Sequence, residues 1–153
     1  MRFILAAVGK PRDAALAAAI ASYELRASRY WPLEVHEVKE EPARSLAPDQ
    51  VRAREGARLA GVAGAAELVV CDERGASLTS DAFARFLQEA RERARDVAFV
   101  IGGAYGLDPA LAARAKRRLA LAPWTLPHEM ARLVLAEQFY RAGTIIRGEP
   151  YHK

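Results

Sequence analysis

The stretch VAFVIGGAYGLDPALAARAKRRLALAPWTLPH, residues 97–128, decides the fold. Its first five residues are apolar, which is typical of a buried strand. Glycines follow at positions 102, 103 and 106, and then come Asp108, a helix-capping residue, and Pro109, which suits the first helical position. The order is therefore strand, glycine-rich loop, helix. In an open α/β sheet this order brings backbone groups to the carboxyl edge, where ligands bind.

The glycine loop leaves two interpretations open. It is either a turn that needs the conformational freedom of glycine or a loop that approaches a ligand closely. Its GGxxG spacing differs from the GxGxxG dinucleotide fingerprint, and no acidic residue ends a following strand, so NAD binding is disfavoured. The sequence also has no GxxxxGK[ST] motif, which excludes a P-loop.

Apolar runs and amphipathic stretches alternate along the rest of the chain. We predict strands at residues 3–8, 33–38, 67–72, 97–101 and 119–122, with a turn at 73–75. We predict helices at residues 13–29, 49–62, 81–95, 109–118 and 128–142, and a surface loop at 40–48. Leu16, Ile20, Tyr23 and Leu25 are assigned to the packing face of the first helix. The pattern predicts one α/β domain over residues 1–153, with a mainly parallel sheet of five or six strands flanked by helices.

Composition and charge narrow the class of protein. Of the 23 basic residues, 19 are arginine, and the net charge of +4 is compatible with a polyanionic partner without requiring one. The single cysteine, Cys71, excludes an intrachain disulfide and fits a reducing compartment. No apolar run approaches the length of a membrane span, and no signal peptide is recognised. We therefore expect a cytoplasmic protein.

Few side chains form an obvious chemical cluster. The three histidines, His36, His128 and His152, are scattered, so no metal site is expected. Cys71 lies in an apolar run, which favours a small buried residue over a nucleophile. Arg52, Arg54 and Arg58 share one side of a predicted helix, which is either a solvated face or an RNA-facing one. The final Tyr151-His152-Lys153 is either a frayed tail or an aromatic, a titratable and a cationic group suited to a nucleotide.

Three segments near the carboxyl end carry a family resemblance. These are VIGGAYGL at 100–107, LALAPWTLPHEMARLVLAEQFYRA at 119–142 and the closing PYHK, together with AAVGK near the amino end and Cys71-Asp72. In this order and spacing they resemble the bacterial ribosomal large-subunit pseudouridine methyltransferases, the RlmH group of the SPOUT superfamily. The resemblance implies a deep trefoil knot at the carboxyl end. It also implies a homodimer in which the tail of one subunit completes the pocket of the other.

The resemblance also implies an activity and a site. The activity is the transfer of a methyl group from S-adenosylmethionine to N3 of a pseudouridine in helix 69 of 23S rRNA, within the assembled ribosome. The implied cofactor-binding residues are Cys71, Gly102, Gly103, Leu121, Ala122, Pro123, Trp124, Thr125 and Leu126. The implied catalytic residues are His152, Tyr151 and Arg141, and the implied substrate-binding residues are His128 and Lys153.

The sequence departs from the family pattern at a few positions. Cys71 replaces a bulky aliphatic residue, Ala122-Pro123-Trp124 replaces a serine-containing loop, and Gly143 replaces a larger residue, which predicts a looser last helix. Two other functions stay open. One is a catalytically silent ribosome-binding or assembly factor with the same fold, and the other is a related methyltransferase that acts on tRNA.

Overall fold

The computed structural model describes residues 1–42, 44 and 46–153, so Ala43 and Ser45 of the predicted loop lie outside the described residues. Strands and helices alternate along the chain, as predicted. The strands are β1 (Phe3–Val8), β2 (Leu33–Val38), β3 (Glu67–Ser77), β4 (Val97–Ile101) and β5 (Arg117–Ala120). The helices are α1 (Ala14–Ala27), α2 (Pro48–Ala63), α3 (Ser80–Glu92), α4 (Pro109–Arg114) and α5 (His128–Ile146), and a short 3-10 helix (Pro150–His152) follows.

The strands form one sheet in the order β2-β1-β4-β3-β5, and every neighbouring pair is parallel. This confirms the predicted α/β class. Strands β1 and β4 are buried along their whole length because helices cover both faces of the sheet at its centre. The carboxyl ends of all the strands therefore lie at the same edge.

Helices pack on both faces of the sheet. Helices α1, α3 and α5 cover one face around an aromatic cluster in which the Phe139 ring lies 5.7 Å from Phe3, 5.5 Å from Phe83 and 5.1 Å from Phe99. The indole nitrogen of Trp31 donates a hydrogen bond to the Phe139 carbonyl at 2.8 Å. Helices α2 and α4 cover the other face through small aliphatic side chains.

The predicted boundaries of three elements at the sheet edge are wrong. Strand β5 spans Arg117–Ala120 rather than residues 119–122. Strand β3 does not end at residue 72 but continues through the predicted turn to Ser77, because Ala76 and Ser77 pair with β5 after a bulge. A Cβ on Gly75 would lie 2.5 Å from the carbonyl carbon of Arg118, so glycine permits this close approach of the two strands. Helix α4 ends at Arg114 rather than near residue 118, because residues from Arg117 onward join the sheet.

The packing face predicted for α1 is wrong at one position. Leu25 is 65% exposed, whereas Ile20 and Ala27 are buried. Leu25 follows Ile20 by five residues, which places it on the opposite side of a helix with 3.6 residues per turn. Helix α3 also ends earlier than predicted, at Glu92, and a left-handed residue follows at Ala94.

Helix α5 is not loosened by Gly143. The helix runs through this glycine to Ile146, and a Cβ added there would lie 2.3 Å from Cγ of Tyr30. Glycine therefore allows the Tyr30 ring to pack directly on the helix backbone. The buried Arg132 further fixes α5, because its guanidinium bonds Glu24 on α1 and Glu37 on β2, each at 2.7 Å.

Candidate functional site

A cavity of about 740 Å³ opens at the carboxyl edge of the sheet. Its wall is formed by the end of the apolar part of β3, the glycine loop after β4, and the segment between β5 and the first turn of α5. The lining residues are Cys71, Asp72, Glu73, Arg74, Ile101, Gly102, Gly103, Ala104, Tyr105, Gly106, Leu107, Leu121, Ala122, Trp124, Thr125, Leu126, Pro127, His128 and Ala131. Every residue predicted for cofactor binding thus lines one cavity except Pro123, which is exposed beside it.

The glycine loop is held closed by its own backbone. The amide of Gly106, which has a φ of +85°, donates to the Gly103 carbonyl at 3.0 Å. A Cβ on Gly102 would lie 2.7 Å from the carbonyl carbon of Gly106, and one on Gly103 would lie 2.8 Å from Oε2 of Glu55. Gly102 is therefore required for the packing of the loop backbone, and Gly103 lets Glu55 approach it closely, which supports the interpretation of the loop as a turn that needs glycine.

The buried Glu55 side chain packs against Gly103 of this loop, and this contact was not predicted from the sequence. Glu55 is 3% exposed, and its Oε1 accepts a hydrogen bond from the Glu41 amide at 3.1 Å. Its Oε2 has no partner among the described residues. Burial raises the pKa of Glu55, because the buried carboxylate loses contact with water.

The three arginines of α2 bind groups within the chain. Arg54 and Arg58 both pair with the carboxylate of Glu41, at 2.9 Å in the case of Arg54. Arg52 pairs with Asp49 and donates to the Tyr105 carbonyl at 3.2 Å. These contacts hold Glu41 and the tip of the glycine loop, so the arginine row has a structural role in addition to its solvated surface.

The β3 side of the cavity carries a thiol and a carboxylate. Burial raises the pKa of the Cys71 thiol to about 12, so the thiol is protonated at neutral pH and is a poor nucleophile. Hydrogen bonds from Arg74, at 3.0 and 3.1 Å, hold the pKa of Asp72 below its usual range. The Thr125 hydroxyl bonds the carboxylate of Glu73 and so ties two walls of the cavity together.

The carboxyl-terminal residues do not line the cavity of their own chain. Helix α5 begins at His128, which lines the cavity, and the tail after the helix turns back so that Tyr151 contacts Glu137 near the middle of α5. Tyr151, His152 and Lys153 are absent from the lining residues. The structure therefore brings His128 to the cavity but not the catalytic residues that the resemblance implies.

Tyr151 is anchored in a network around the second half of α5. Its hydroxyl donates to Oε1 of Glu137 at 3.0 Å and lies 3.2 Å from the Tyr23 hydroxyl. Arg141 bonds the same Glu137 at 2.6 Å and stands 4.9 Å from the centre of the Tyr151 ring. Burial and the hydrogen bonds to Tyr23 and Glu137 raise the pKa of Tyr151, so the phenol stays protonated. His152 and Lys153 are exposed beyond this anchor.

Glu137 thus connects Tyr151 with Arg141, and this role was not predicted. Its position four residues before Arg141 was an available signal, because such a pair faces the same side of a helix. Within the described residues, no group of three or more His, Cys, Asp or Glu side chains could hold a metal ion. None of the helices in that part of the chain combines the length and the apolar character that a bilayer span requires.

Comparisons with known proteins identify the family of this chain. A family model described as "Predicted SPOUT methyltransferase" matches residues 1–152. The protein named ribosomal RNA large subunit methyltransferase H from Gemmatimonas aurantiaca is 64% identical over 154 aligned residues, which cover 100% of both chains. Its namesake from Anaeromyxobacter dehalogenans is 49% identical over 155 residues, again 100% of both chains.

A solved structure, described as the crystal structure of an hypothetical protein, aligns with a TM-score of 0.51. It is 17% identical and covers 94% of this chain and 80% of that chain, which is a likeness of fold alone. The family assignment rests on the full-length matches in sequence. This chain therefore belongs to the SPOUT methyltransferase family, in the group of ribosomal RNA large subunit methyltransferase H.

Proposed function

We propose that this protein uses S-adenosylmethionine to methylate N3 of a pseudouridine in helix 69 of 23S rRNA, acting as a homodimer on the assembled ribosome in the cytoplasm. The cavity supports the proposal most directly, because it gathers the segments that the family resemblance assigns to the cofactor. The two relatives described above are named as ribosomal RNA methyltransferases. This supports ribosomal RNA as the substrate.

The cavity fits the cofactor in size and chemistry. Its volume of about 740 Å³ lies within the usual range for small-molecule sites. Ile101, Leu121 and Leu126 offer an apolar slot for a flat ring such as adenine. The Asp72 carboxylate, kept ionised by Arg74, suits an ammonium group or ribose hydroxyls. When bound, S-adenosylmethionine supplies a methyl group already activated by its sulfonium.

The proposal includes the trefoil knot that the resemblance implies. Strand β5 pairs with β3 at the sheet edge, although β4 lies between them in the chain. This order brings the three cavity-forming segments side by side. A threaded carboxyl end would fix their relative positions without a ligand, which is the pre-organisation that in-line methyl transfer needs.

The chain's own residues then align the RNA base and remove its proton. N3 must lose a proton before it attacks the methyl carbon, and His152 is our candidate for the base. Tyr151 anchors the tail so that His152 and Lys153 project from it, and Arg141 and Lys153 are cations that can bind phosphate. Because the tail does not line the cavity of its own chain, we propose that it completes the cavity of the second subunit. His128 contacts the substrate from the cavity side.

The decisive experiment compares the rRNA of a deletion strain with that of complemented strains by mass spectrometry. We expect one pseudouridine of helix 69 to lack its methyl group in the deletion strain and to regain it with the wild-type gene. His152→Ala should fail to restore it, whereas His36→Ala, which changes an exposed histidine on β2, should restore it.

The other two functions give different results. Intact methylation in the deletion strain, with calorimetry that detects no S-adenosylmethionine binding, would favour a silent ribosome-binding factor. A methyl group missing from tRNA instead would favour the transfer-RNA enzyme. Binding of the cofactor by His152→Ala with native affinity would separate a chemical role of the imidazole from a defect in the cavity.

A further inference from the structure

Two aromatic side chains stand apart from all the others. The chain has five Phe, five Tyr and two Trp residues. Ten of these twelve rings pack against another aromatic ring. The two exceptions among the described residues are Tyr105, which is 44% exposed, and Trp124, which is 71% exposed. Both line the same cavity.

Their exposure does not come from loose backbone. The carbonyl of Tyr105 accepts a hydrogen bond from Arg52 at 3.2 Å, and the neighbouring Gly103 and Gly106 are bridged. Trp124 lies between Pro123 and Thr125, whose hydroxyl is bonded to Glu73. The backbone of both loops is therefore tied down while the rings remain uncovered. Exposing such large apolar surfaces forgoes the burial that stabilises the ten other rings.

We propose that Tyr105 and Trp124 stack on unpaired RNA bases at the mouth of the cavity. The inference deepens the proposed function, because it takes RNA as the substrate and identifies the side chains that bind its bases. Exposed aromatic rings are the usual platforms for unstacked bases in loops and single strands. The exposed guanidinium of Arg74 lines the same cavity and can attract the phosphate backbone.

The cofactor and a second subunit are two other candidate partners of these rings. Trp124 is among the residues that the resemblance implies for the cofactor, but Ile101, Leu121 and Leu126 already offer the cofactor an apolar slot, so the Trp124 side chain is reassigned to the RNA. We favour RNA because both exposed rings are amphipathic aromatics at the rim of a methyl-transfer cavity, and stacking is the interaction that presents a base to such a cavity.

The test uses the intrinsic fluorescence of the full-length protein. Trp31 is 2% exposed and bonded to the Phe139 carbonyl, so an emission change on ligand addition reports on Trp124. We expect a pseudouridine-containing stem-loop RNA to quench the emission, and a fully paired duplex of equal length to quench it much less. The response should vanish in Trp124→Phe, which retains a stacking ring.

Affinity measurements complete the test. Trp124→Ala and Tyr105→Ala should each weaken stem-loop binding roughly 5- to 100-fold, the effect of losing one stacked base. The affinity for S-adenosylmethionine, measured by calorimetry, should change by less than about twofold in both variants, because the proposal places both rings against the RNA. Leu25→Ala removes an equally exposed apolar side chain on α1 and should leave both affinities unchanged.

Several outcomes would overturn the inference. An equal loss of cofactor and RNA affinity in Trp124→Ala would place the ring in the cofactor site. A loss of dimer in sedimentation would place it against the second subunit. Native RNA affinity in the Tyr105→Ala/Trp124→Ala double variant, or no quenching of the wild type by any single-stranded RNA, would remove stacking. None of these results bears on whether the deletion strain lacks the methyl group, so the two proposals fail separately.

Discussion

The Tyr151 hydroxyl donates a hydrogen bond to Oε1 of Glu137 at 3.0 Å, and this contact attaches the carboxyl-terminal tail to the body of the protein. The same carboxylate also bonds Arg141, so one residue of α5 positions two of the groups assigned to the RNA. The tail therefore has a defined course up to Tyr151. Only His152 and Lys153 extend beyond it.

Replacing Glu137 by Gln should impair methylation without weakening the cofactor site. The change removes charge-assisted bonds to Tyr151 and Arg141, each worth about 1.5–3 kcal/mol, so we expect kcat/KM on ribosomes to fall roughly 10- to 100-fold. Glu137 does not line the cavity, so S-adenosylmethionine affinity should be unchanged. Glu92→Gln, at an exposed position on α3, is the matched control. Native kcat/KM in Glu137→Gln would show that the anchor is dispensable.

Replacing Gly143 by Ala should destabilise the fold. The added Cβ would lie 2.3 Å from Cγ of Tyr30, and overpacking of this kind costs about 1–3 kcal/mol in the free energy of unfolding. Gly61→Ala is the matched control, because Gly61 also lies in a helix and nothing stands within 4 Å of its added Cβ. We expect that control to gain about 0.5–1 kcal/mol. Urea unfolding followed by circular dichroism measures both, and equal shifts of the two variants would contradict the packing argument.

Replacing Arg132 by Met should cost more than removing any surface ion pair. Its side chain is 6% exposed, and its loss leaves Glu24 and Glu37 without their partner. Breaking a buried pair costs about 3–5 kcal/mol, whereas an exposed pair contributes at most about 1 kcal/mol. Arg12→Met breaks the exposed pair with Glu40 and serves as the control. Urea midpoints that differ by less than the experimental error would show that the buried pair adds nothing.

The Cys71 thiol should resist alkylation and make stability fall at alkaline pH. With a pKa of about 12, its thiolate fraction at pH 8 is about a thousandfold below that of an exposed cysteine with a pKa near 8.5. The folded thiol holds its proton more tightly than the unfolded one, so stability is unaffected below about pH 8.5. Above that pH it should fall by about 1.4 kcal/mol per pH unit.

Mass spectrometry after iodoacetamide treatment measures the alkylation of Cys71, with protein unfolded in urea as the reference. Unfolding of the wild type and of Cys71→Ala between pH 8 and 10 measures the loss of stability at alkaline pH. The variant lacks the contribution of the thiol, while every other titrating group is retained. Alkylation of the folded protein at the rate of the unfolded chain would contradict the burial argument.

Features encoded by adjacent residues could be predicted from the sequence. The apolar strand β4, the glycine loop and the Asp108-Pro109 helix start all depend on local preferences, and the structure has them where expected. The ends of β3 and α4 could not be placed, because they depend on pairing with β5. Ala76 meets Leu119 only in the folded sheet, so no local pattern marks it as a strand residue.

Some residues of the site could likewise be predicted from the sequence, and others depend on contacts made only in the folded protein. The resemblance assigned several segments to the cofactor, and the structure gathers almost all of their residues around one cavity. Glu55 and Glu137 were missed because an acidic residue on a helix is normally solvated. Their roles appear only when Glu55 is found beneath Gly103 and Glu137 is found bonded to Tyr151. The exposure of Trp124 likewise depends on which loops close over the cavity.

The last prediction concerns two subunits sharing one site, tested by mixing two inactive variants. His152→Ala has an intact cavity and a defective tail. Gly102→Val has an intact tail and a defective cavity, because even a Cβ there would lie 2.7 Å from the carbonyl carbon of Gly106. If the tail acts on the second subunit, each mixed dimer holds one complete site out of two, so purified mixed dimers should have roughly half of wild-type methylation.

If the tail acted on its own chain, no mixed dimer would contain a complete site, and activity would stay at the level of the separate variants. Lys10→Ala, at an exposed position on the loop after β1, mixed with His152→Ala controls for non-specific effects of co-expression. The two variants should be co-expressed with different affinity tags, so that only mixed dimers are purified and assayed on ribosomes. Restored activity in these dimers requires the tail to cross between subunits, because neither chain alone can supply both the cavity and His152.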